Sequence, residues 1–86
     1  VLIVYIDLRR RGRKPRNGAR ERTLWVEWGS RRYEFLILEE GDVFTFKELG
    51  EWSRLAAGDG YTPVLAIVDR VGGVTYYEAR VVEEIS

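Results

Sequence analysis

Apolar runs separated by short polar turns divide the chain into helical and extended segments. Residues 64–68 are continuously apolar, which predicts a strand buried on both faces and therefore central in a sheet. Residues 23–28 alternate between apolar and mixed positions, and residues 33–38 are mostly apolar, so both segments are predicted strands. Residues 29–32 are the predicted hairpin between them.

A helix is predicted between the second and third of these strands. Thr45 followed by Glu48 is a capping box, and Phe44 before the cap is placed to pack on the first turn. Gly58 is the predicted end of the helix. The predicted core face carries Leu49, Trp52, Leu55 and Ala56. After the central strand, a turn at residues 69–73 leads into a predicted closing strand at residues 74–82.

The start of the chain is ambiguous by pattern alone. In residues 1–11 the β-branched side chains favour a strand, but four apolar residues fit one helical face: Val1, Val4, Tyr5 and Leu8. Gly12 ends the segment in either case. Residues 13–22, with Pro15 and Gly18, are predicted to be a flexible polar connection.

Length and composition limit the possible architectures. The chain has 86 residues, 45% of them hydrophobic, which predicts one small α/β domain over residues 1–86, with a mixed, mostly antiparallel sheet flanked by two helices. The absence of cysteine excludes disulfides and thiolate metal sites, and no metal or cofactor is expected. No apolar run is long enough to span a bilayer, so the protein is expected to be cytoplasmic. Because the first residue is not Met, further sequence upstream is expected.

The net charge of zero hides a strong asymmetry. Residues 9–32 contain ten basic and two acidic residues, a net charge of +8, whereas residues 33–86 contain four basic and eleven acidic residues, a net charge of −7. This separation favours a polyanion or an acidic partner on one side of the fold. The alternative is a solvated arginine-rich loop that makes surface ion pairs.

Several segments, in order along the chain, resemble the catalytic domain of the tRNA-splicing (tRNA-intron) endonuclease family. The resemblance is carried by VYIDLRRRG at residues 4–12, RLA at residues 54–56, the apolar strand VLAIVD at residues 64–69, and TYYEAR at residues 75–80. It implies that the first segment is a helix. It also implies a metal-free cleavage of precursor tRNA in which the ribose 2′-hydroxyl attacks the adjacent phosphate, with a Tyr as base, a His as acid and a Lys that stabilises the transition state.

This chain lacks that catalytic set. It contains no His, and the family's His position falls near Arg32, a permanent cation and a very poor acid. The family's Tyr position falls near Glu27 or Trp28, and Tyr61 stands where the Lys belongs. An unusual catalytic trio of Glu27, Arg32 and Tyr61 is a minor alternative.

Two surfaces are predicted from the resemblance and the charge pattern. Candidate RNA-binding residues are Arg54, which matches a family arginine that clasps a bulged base, and the basic residues Arg13, Lys14 and Arg16. The alternative for Arg54 is a surface ion pair with Glu51 or Asp59. Candidate subunit-interface residues are Asp69, Tyr76, Val81, Val82 and Ile85. For Asp69 the alternative is that it only orders its own turn.

The resemblance therefore implies a non-catalytic, structural subunit of a heteromeric tRNA-splicing endonuclease of the archaeal type. Its expected partners are a catalytic endonuclease subunit, in a heterotetramer, and precursor tRNA. The alternatives are a stand-alone RNA-binding module that uses the arginine-rich half and a protein-interaction domain with no role in RNA processing.

Overall fold

Two helices and five strands form in the computed structural model, which describes residues 1–79. They are α1 (Leu2–Arg10), β1 (Arg16–Asn17), β2 (Thr23–Trp28), β3 (Arg31–Glu39), α2 (Phe46–Gly58), β4 (Thr62–Val68) and β5 (Val74–Glu78). The strands form one sheet in the order β1-β2-β3-β4-β5. This confirms the predicted α/β fold with a mixed, mostly antiparallel sheet.

The continuously apolar strand is central, as its composition predicts. β4 pairs with β3 in parallel and with β5 in antiparallel orientation, and the other neighbouring pairs are antiparallel. A parallel pair needs a long crossover connection, and α2 provides it between β3 and β4. The beginning of β4 is therefore set by the end of α2.

The face of the sheet that carries α1 holds most of the hydrophobic core. Its buried side chains are Val4, Leu8, Leu24, Val26, Phe35, Ile37, Val64, Ala66 and Val68. On each strand they are separated by one residue because successive side chains point to opposite faces. The helix predicted from the resemblance is confirmed for α1, with Val4 and Leu8 buried and Val1 and Tyr5 exposed.

The opposite face carries α2 and a smaller core of Leu36, Trp52 and Ala56. Glu48 donates its backbone N–H to the Thr45 Oγ1 at 3.1 Å, which confirms the predicted N-cap. The predicted core face is wrong at Leu55, whose side chain is 58% exposed, because the helix turns Trp52, Ser53 and Ala56 toward the sheet instead.

Two further local predictions from the sequence differ from the structure. The hairpin between β2 and β3 is a two-residue turn at Gly29 and Ser30, so Arg32 lies inside β3. The connection at residues 13–22 is not simply flexible, because it forms β1 and is closed by a 2.9 Å bond from the Gly18 N–H to the Thr23 carbonyl. A Cβ at Gly18 would lie 2.0 Å from the Thr23 Oγ1, so the turn requires glycine there.

The closing strand β5 ends at Glu78 in the described part of the chain. The prediction that it continues to residue 82 lies outside the described residues. In residues 1–79 no helix is long and apolar enough to cross a membrane.

Candidate functional site

The turn that follows α2 places Tyr61 beside the sheet. The Tyr61 N–H donates to the Ala56 carbonyl and the Gly60 N–H donates to the Ala57 carbonyl, at 2.9 and 3.0 Å, which is a Schellman motif. This motif needs a left-handed residue after the helix, and Gly60 has a φ of +87°. The helix therefore extends through Gly58, and the glycine that ends it is Gly60. Tyr61 packs against the small core that contains Ala56.

The three positions predicted to replace the family's catalytic residues lie together. Glu27 and Arg32 are cross-strand partners on β2 and β3. The Arg32 guanidinium lies 4.9 Å from the centre of the Tyr61 ring, a cation–π distance. The Trp25 ring meets the Tyr61 ring edge-on at 5.9 Å between centroids. The site is thus a stack of a cation and aromatic rings with a carboxylate at its side.

This arrangement offers little for acid–base catalysis. A reaction that moves one proton off a hydroxyl and another onto a leaving oxygen needs groups that exchange protons near the operating pH. Arginine keeps its proton throughout that range. Tyr61 stands where the resemblance implies an ammonium group, and a phenol offers no positive charge. The carboxylate of Glu27 could accept a proton, but the chain has no histidine to act as the acid.

A buried polar network joins β3 to α2 and to the turn that precedes Tyr61. The Glu34 side chain is 1% exposed and accepts hydrogen bonds from the Arg20 guanidinium at 2.9 Å and from the Trp52 Nε1 at 2.8 Å. Arg20 also pairs with Asp59, whose hydrogen bond raises the pKa of Arg20 above its ordinary value, although partial burial opposes the shift. Because Asp59 is the C-cap of α2, the network fixes the turn that positions Tyr61.

The sequence patterns did not predict this network. Its members are 14, 18 and 39 residues apart, so no periodic pattern relates them. One signal was present: Glu34 is the lone acid inside an otherwise apolar strand segment, and a buried carboxylate must be paired.

Three of the four predicted RNA-binding residues come together. Arg13, Lys14 and Arg16 line a cleft of about 290 Å³ with Gly12, Trp25 and Glu27. The fourth, Arg54, is elsewhere: it is exposed on α2, and its Nε donates to the Gly50 carbonyl of its own helix at 3.3 Å. The ion pairs found in residues 1–79 do not include Arg54, and Asp59 is paired with Arg20 instead.

Two of the predicted interface residues are engaged within the domain. Asp69 Oδ1 accepts hydrogen bonds from the Val71 and Gly73 N–H groups at 3.0 and 2.8 Å, so it orders its own turn. The Tyr76 hydroxyl donates to Asp7 Oδ2 at 2.6 Å, and its ring packs on the α1 face. Val81, Val82 and Ile85 lie outside the described residues. The interface role of all five residues stays a prediction.

Residues 1–79 contain no group of three or more His, Cys, Asp or Glu side chains arranged to hold a metal ion.

Comparisons with known proteins agree with the motif resemblance. The family described as tRNA intron endonuclease, catalytic C-terminal domain, matches residues 1–76. The chain is also similar to the EndA-like protein of Methanopyrus kandleri, with 39% identity over 80 residues, which cover 86% of this chain and 46% of that protein. The chain thus spans about half the length of this curated relative.

Proposed function

The chain belongs to the tRNA intron endonuclease family, and from this premise we propose that it is a non-catalytic, structural subunit of a heteromeric tRNA-splicing endonuclease. In this role it supports and positions catalytic subunits that remove introns from precursor tRNA in the cytoplasm. The observation that supports the proposal is the Arg32–Tyr61 stack, which forms where the resemblance implies the family's acid and cation.

The packing of this stack supports loss of catalysis rather than a substituted mechanism. A guanidinium held over a phenol ring is oriented by that ring, and the Tyr61 ring is in turn packed against Trp25 and the core below α2. General acid–base help contributes about 10²–10⁴ in rate only when its groups reach the reacting atoms in the right geometry.

The edge of the sheet supports assembly with a catalytic subunit, in a heterotetramer. In the described residues β5 is the last strand of the sheet, so one of its edges has no partner strand. Unpaired strand edges readily pair with another chain. Tyr77 on this strand is 54% exposed, unlike its neighbour Tyr76. We assign to the same proposed interface three residues that follow Glu78 in the sequence, Val81, Val82 and Ile85.

Cleavage of a precursor tRNA with a bulged intron junction tests the proposal. The assay compares this chain alone, the catalytic partner alone and the mixture. We expect specific cleavage only in the mixture, and we expect no rescue of the chain alone by Arg32→His combined with Tyr61→Lys. Specific cleavage by this chain alone would contradict the proposal, and so would a partner that is fully active without it.

A second candidate function, a stand-alone RNA-binding module, is favoured by one observation, the basic cleft beside β1. Gel filtration separates the two candidates. An independent module should run as a monomer, whereas an obligate subunit should self-associate or be unstable until its partner is added.

A further inference from the structure

One side-chain amide exists in the whole chain. Asn17 is the only asparagine, there is no glutamine, and cysteine and methionine are also absent, so the sequence lacks nearly all the residues that heat and oxidation damage. Asn17 is exposed and is followed directly by Gly18. Glycine has no Cβ to hold its backbone nitrogen away from the preceding side chain, so this nitrogen can reach the carboxamide of Asn17 and displace its ammonia. Any loss of ammonia from this protein therefore identifies Asn17.

The pairing of β1 holds the nitrogen that would attack Asn17. The Gly18 N–H donates to the Thr23 carbonyl at 2.9 Å, and Asn17 is paired with Leu24 on β2. The approach is close, because a Cβ at Gly18 would lie 2.0 Å from the Thr23 Oγ1. Ring closure needs the Gly18 nitrogen without its proton and aligned with the Asn17 carboxamide. While β1 is paired, the nitrogen keeps its proton in the hydrogen bond to β2, so the native fold protects Asn17.

This protection is local, because β1 is a short strand at the edge of the sheet. It has two residues, and Pro15 in front of it has no N–H to extend the ladder. The turn behind Gly18 is held more firmly: the Thr23 Oγ1 donates to the Arg20 carbonyl at 2.6 Å, and Arg20 pairs with the buried Glu34. We therefore expect β1 to open at a small cost in free energy while the rest of the domain stays folded.

We propose that Asn17 is a site of spontaneous deamidation and that the pairing of β1 sets its rate. When β1 opens, hydroxide removes the proton of the Gly18 N–H, and the nitrogen attacks the Asn17 Cγ. The new C–N bond closes a succinimide ring as the bond from Cγ to Nδ2 breaks, and ammonia leaves with a proton from water. Water then opens the ring at either carbonyl, which yields aspartate or isoaspartate. The inference goes beyond the structural-subunit role and does not depend on it.

The isoaspartyl product fits the hairpin poorly. It adds an extra carbon atom to the backbone between Arg16 and Gly18. The pairing of Arg16 with Trp25 and the bond from Gly18 to Thr23 then no longer share one register. We expect this product to lose β1, which leaves the outer edge of β2 unpaired and available to another strand.

Mass spectrometry of the intact protein tests the proposal, because replacement of an amide by a hydroxyl can occur only at Asn17. The folded protein is incubated at neutral pH beside an unstructured peptide of residues 13–22, which is the reference for an unprotected Asn17. The time course is repeated at increasing urea concentrations below the unfolding transition. An Asn17→Gln variant should lose no ammonia in the same period, since its longer side chain must close a larger ring.

Deamidation of the folded protein should be slower than that of the peptide by about ten- to a hundredfold, the factor expected when about two backbone hydrogen bonds must open first. The rate should change little at low urea concentrations, because opening of β1 exposes little surface. Global unfolding exposes far more surface and therefore responds steeply to urea.

Two substitutions at Arg16 isolate the role of the pairing. Arg16→Pro removes the N–H that pairs with Trp25 by the alternation of an antiparallel ladder, so this variant should deamidate at close to the rate of the peptide. Arg16→Ala removes the same charge but keeps the N–H, and it should deamidate at the rate of the parent. Circular dichroism verifies that each variant is folded.

Four outcomes would overturn the proposal. Equal rates in the folded protein and the peptide would show that β1 gives no protection. A rate that rises with urea in step with global unfolding would show that β1 does not open by itself, and this measurement needs no variant. The absence of ammonia loss from the folded protein after the peptide has been converted many times over would exclude the site. Equal rates in folded Arg16→Pro and Arg16→Ala would show that the pairing does not control the reaction.

Discussion

The two faces of the sheet are built on different principles. The face under α1 is a continuous layer of nine buried hydrophobic side chains. The face under α2 has only three, and beside them lie the buried Glu34 network and the Arg32–Tyr61 stack. In the described residues, the face under α2 therefore buries fewer apolar side chains and holds charged and aromatic groups in fixed contacts instead.

The difference begins in single strands. Along β2, Leu24 and Val26 point to the α1 face, whereas Trp25 and Glu27 point to the other face. Successive side chains of a strand point to opposite faces, so one face can bury apolar side chains while the other carries polar groups. We therefore expect the α1 face to respond to changes in volume and the α2 face to changes in charge.

The largest effect is expected for Leu8→Ala on the α1 face. Leu8 is 1% exposed, and loss of a buried leucine side chain costs its transfer free energy plus that of the cavity, about 3 kcal/mol of the free energy of unfolding. The control is Leu55→Ala, for which we expect a change of about 0.5 kcal/mol or less because this leucine is exposed. Urea unfolding measures both. Equal costs would mean that α2 packs on its Leu55 side, and the comparison of the faces would fail.

The next effect is expected for Glu34→Gln on the α2 face. The side-chain volume is almost unchanged, but the Arg20 guanidinium loses the charge of its buried partner and keeps only that of Asp59. Hydrogen bonds to charged groups contribute about 1.5–3 kcal/mol, and we expect a loss of about 2 kcal/mol in the free energy of unfolding. Glu39→Gln is the control, since Glu39 is exposed on the same strand. A loss no larger than the control's would show that charge does not organise this face.

The fold was predictable where a pattern is local. Alternation in residues 23–28 gave the bounds of β2, and Thr45 with Glu48 gave the start of α2. Leu55 was misplaced because the helical period allows a face wider than the part that the sheet covers. β1 was missed because two residues are too few to show a period.

The resemblance indicated which residues lie at the candidate site, but not which contacts hold them in place. The resemblance indicated Glu27, Arg32 and Tyr61, and the structure brings them together. The network of Arg20 with Glu34 and the choice of aromatic partners depend on contacts between distant segments, for which the chain carries no repeating signal. The charge asymmetry pointed to the basic segment, but only the fold shows that Arg54 lies apart from the cleft.

A smaller effect is expected at the hydrogen-bonded contact between α1 and β5. The Tyr76 hydroxyl and the Arg11 guanidinium both donate to Asp7, and these bonds hold the pKa of Asp7 below its usual value, although burial opposes them. Burial, reinforced by Asp7, raises the pKa of Tyr76. Tyr76→Phe should lower the free energy of unfolding by about 1 kcal/mol at pH 7.

The pKa shifts of Asp7 and Tyr76 determine how the contribution of this contact to stability changes with pH. A lowered folded-state pKa for Asp7 means that its contribution is present above about pH 4 and is lost as the pH falls through the lowered value. The contribution of Tyr76 is present below about pH 10 and is lost as the pH rises through its raised value. The variant should therefore show a flatter stability curve below pH 4. Tyr77→Phe, on an exposed ring, should leave the curve unchanged.

An effect of similar size is expected at Asp69, on the turn between the central strand and the edge strand. Its carboxylate accepts two backbone hydrogen bonds, so Asp69→Ala should cost about 1 kcal/mol of the free energy of unfolding. Asp69→Asn keeps an acceptor oxygen and removes the charge. We expect this variant to have the same thermal stability as the parent and to assemble with the catalytic subunit equally well. Thermal unfolding and gel filtration with the partner measure the two properties. Loss of assembly in Asp69→Asn, with the stability of the domain intact, would instead show that the charge docks into a basic surface of the partner.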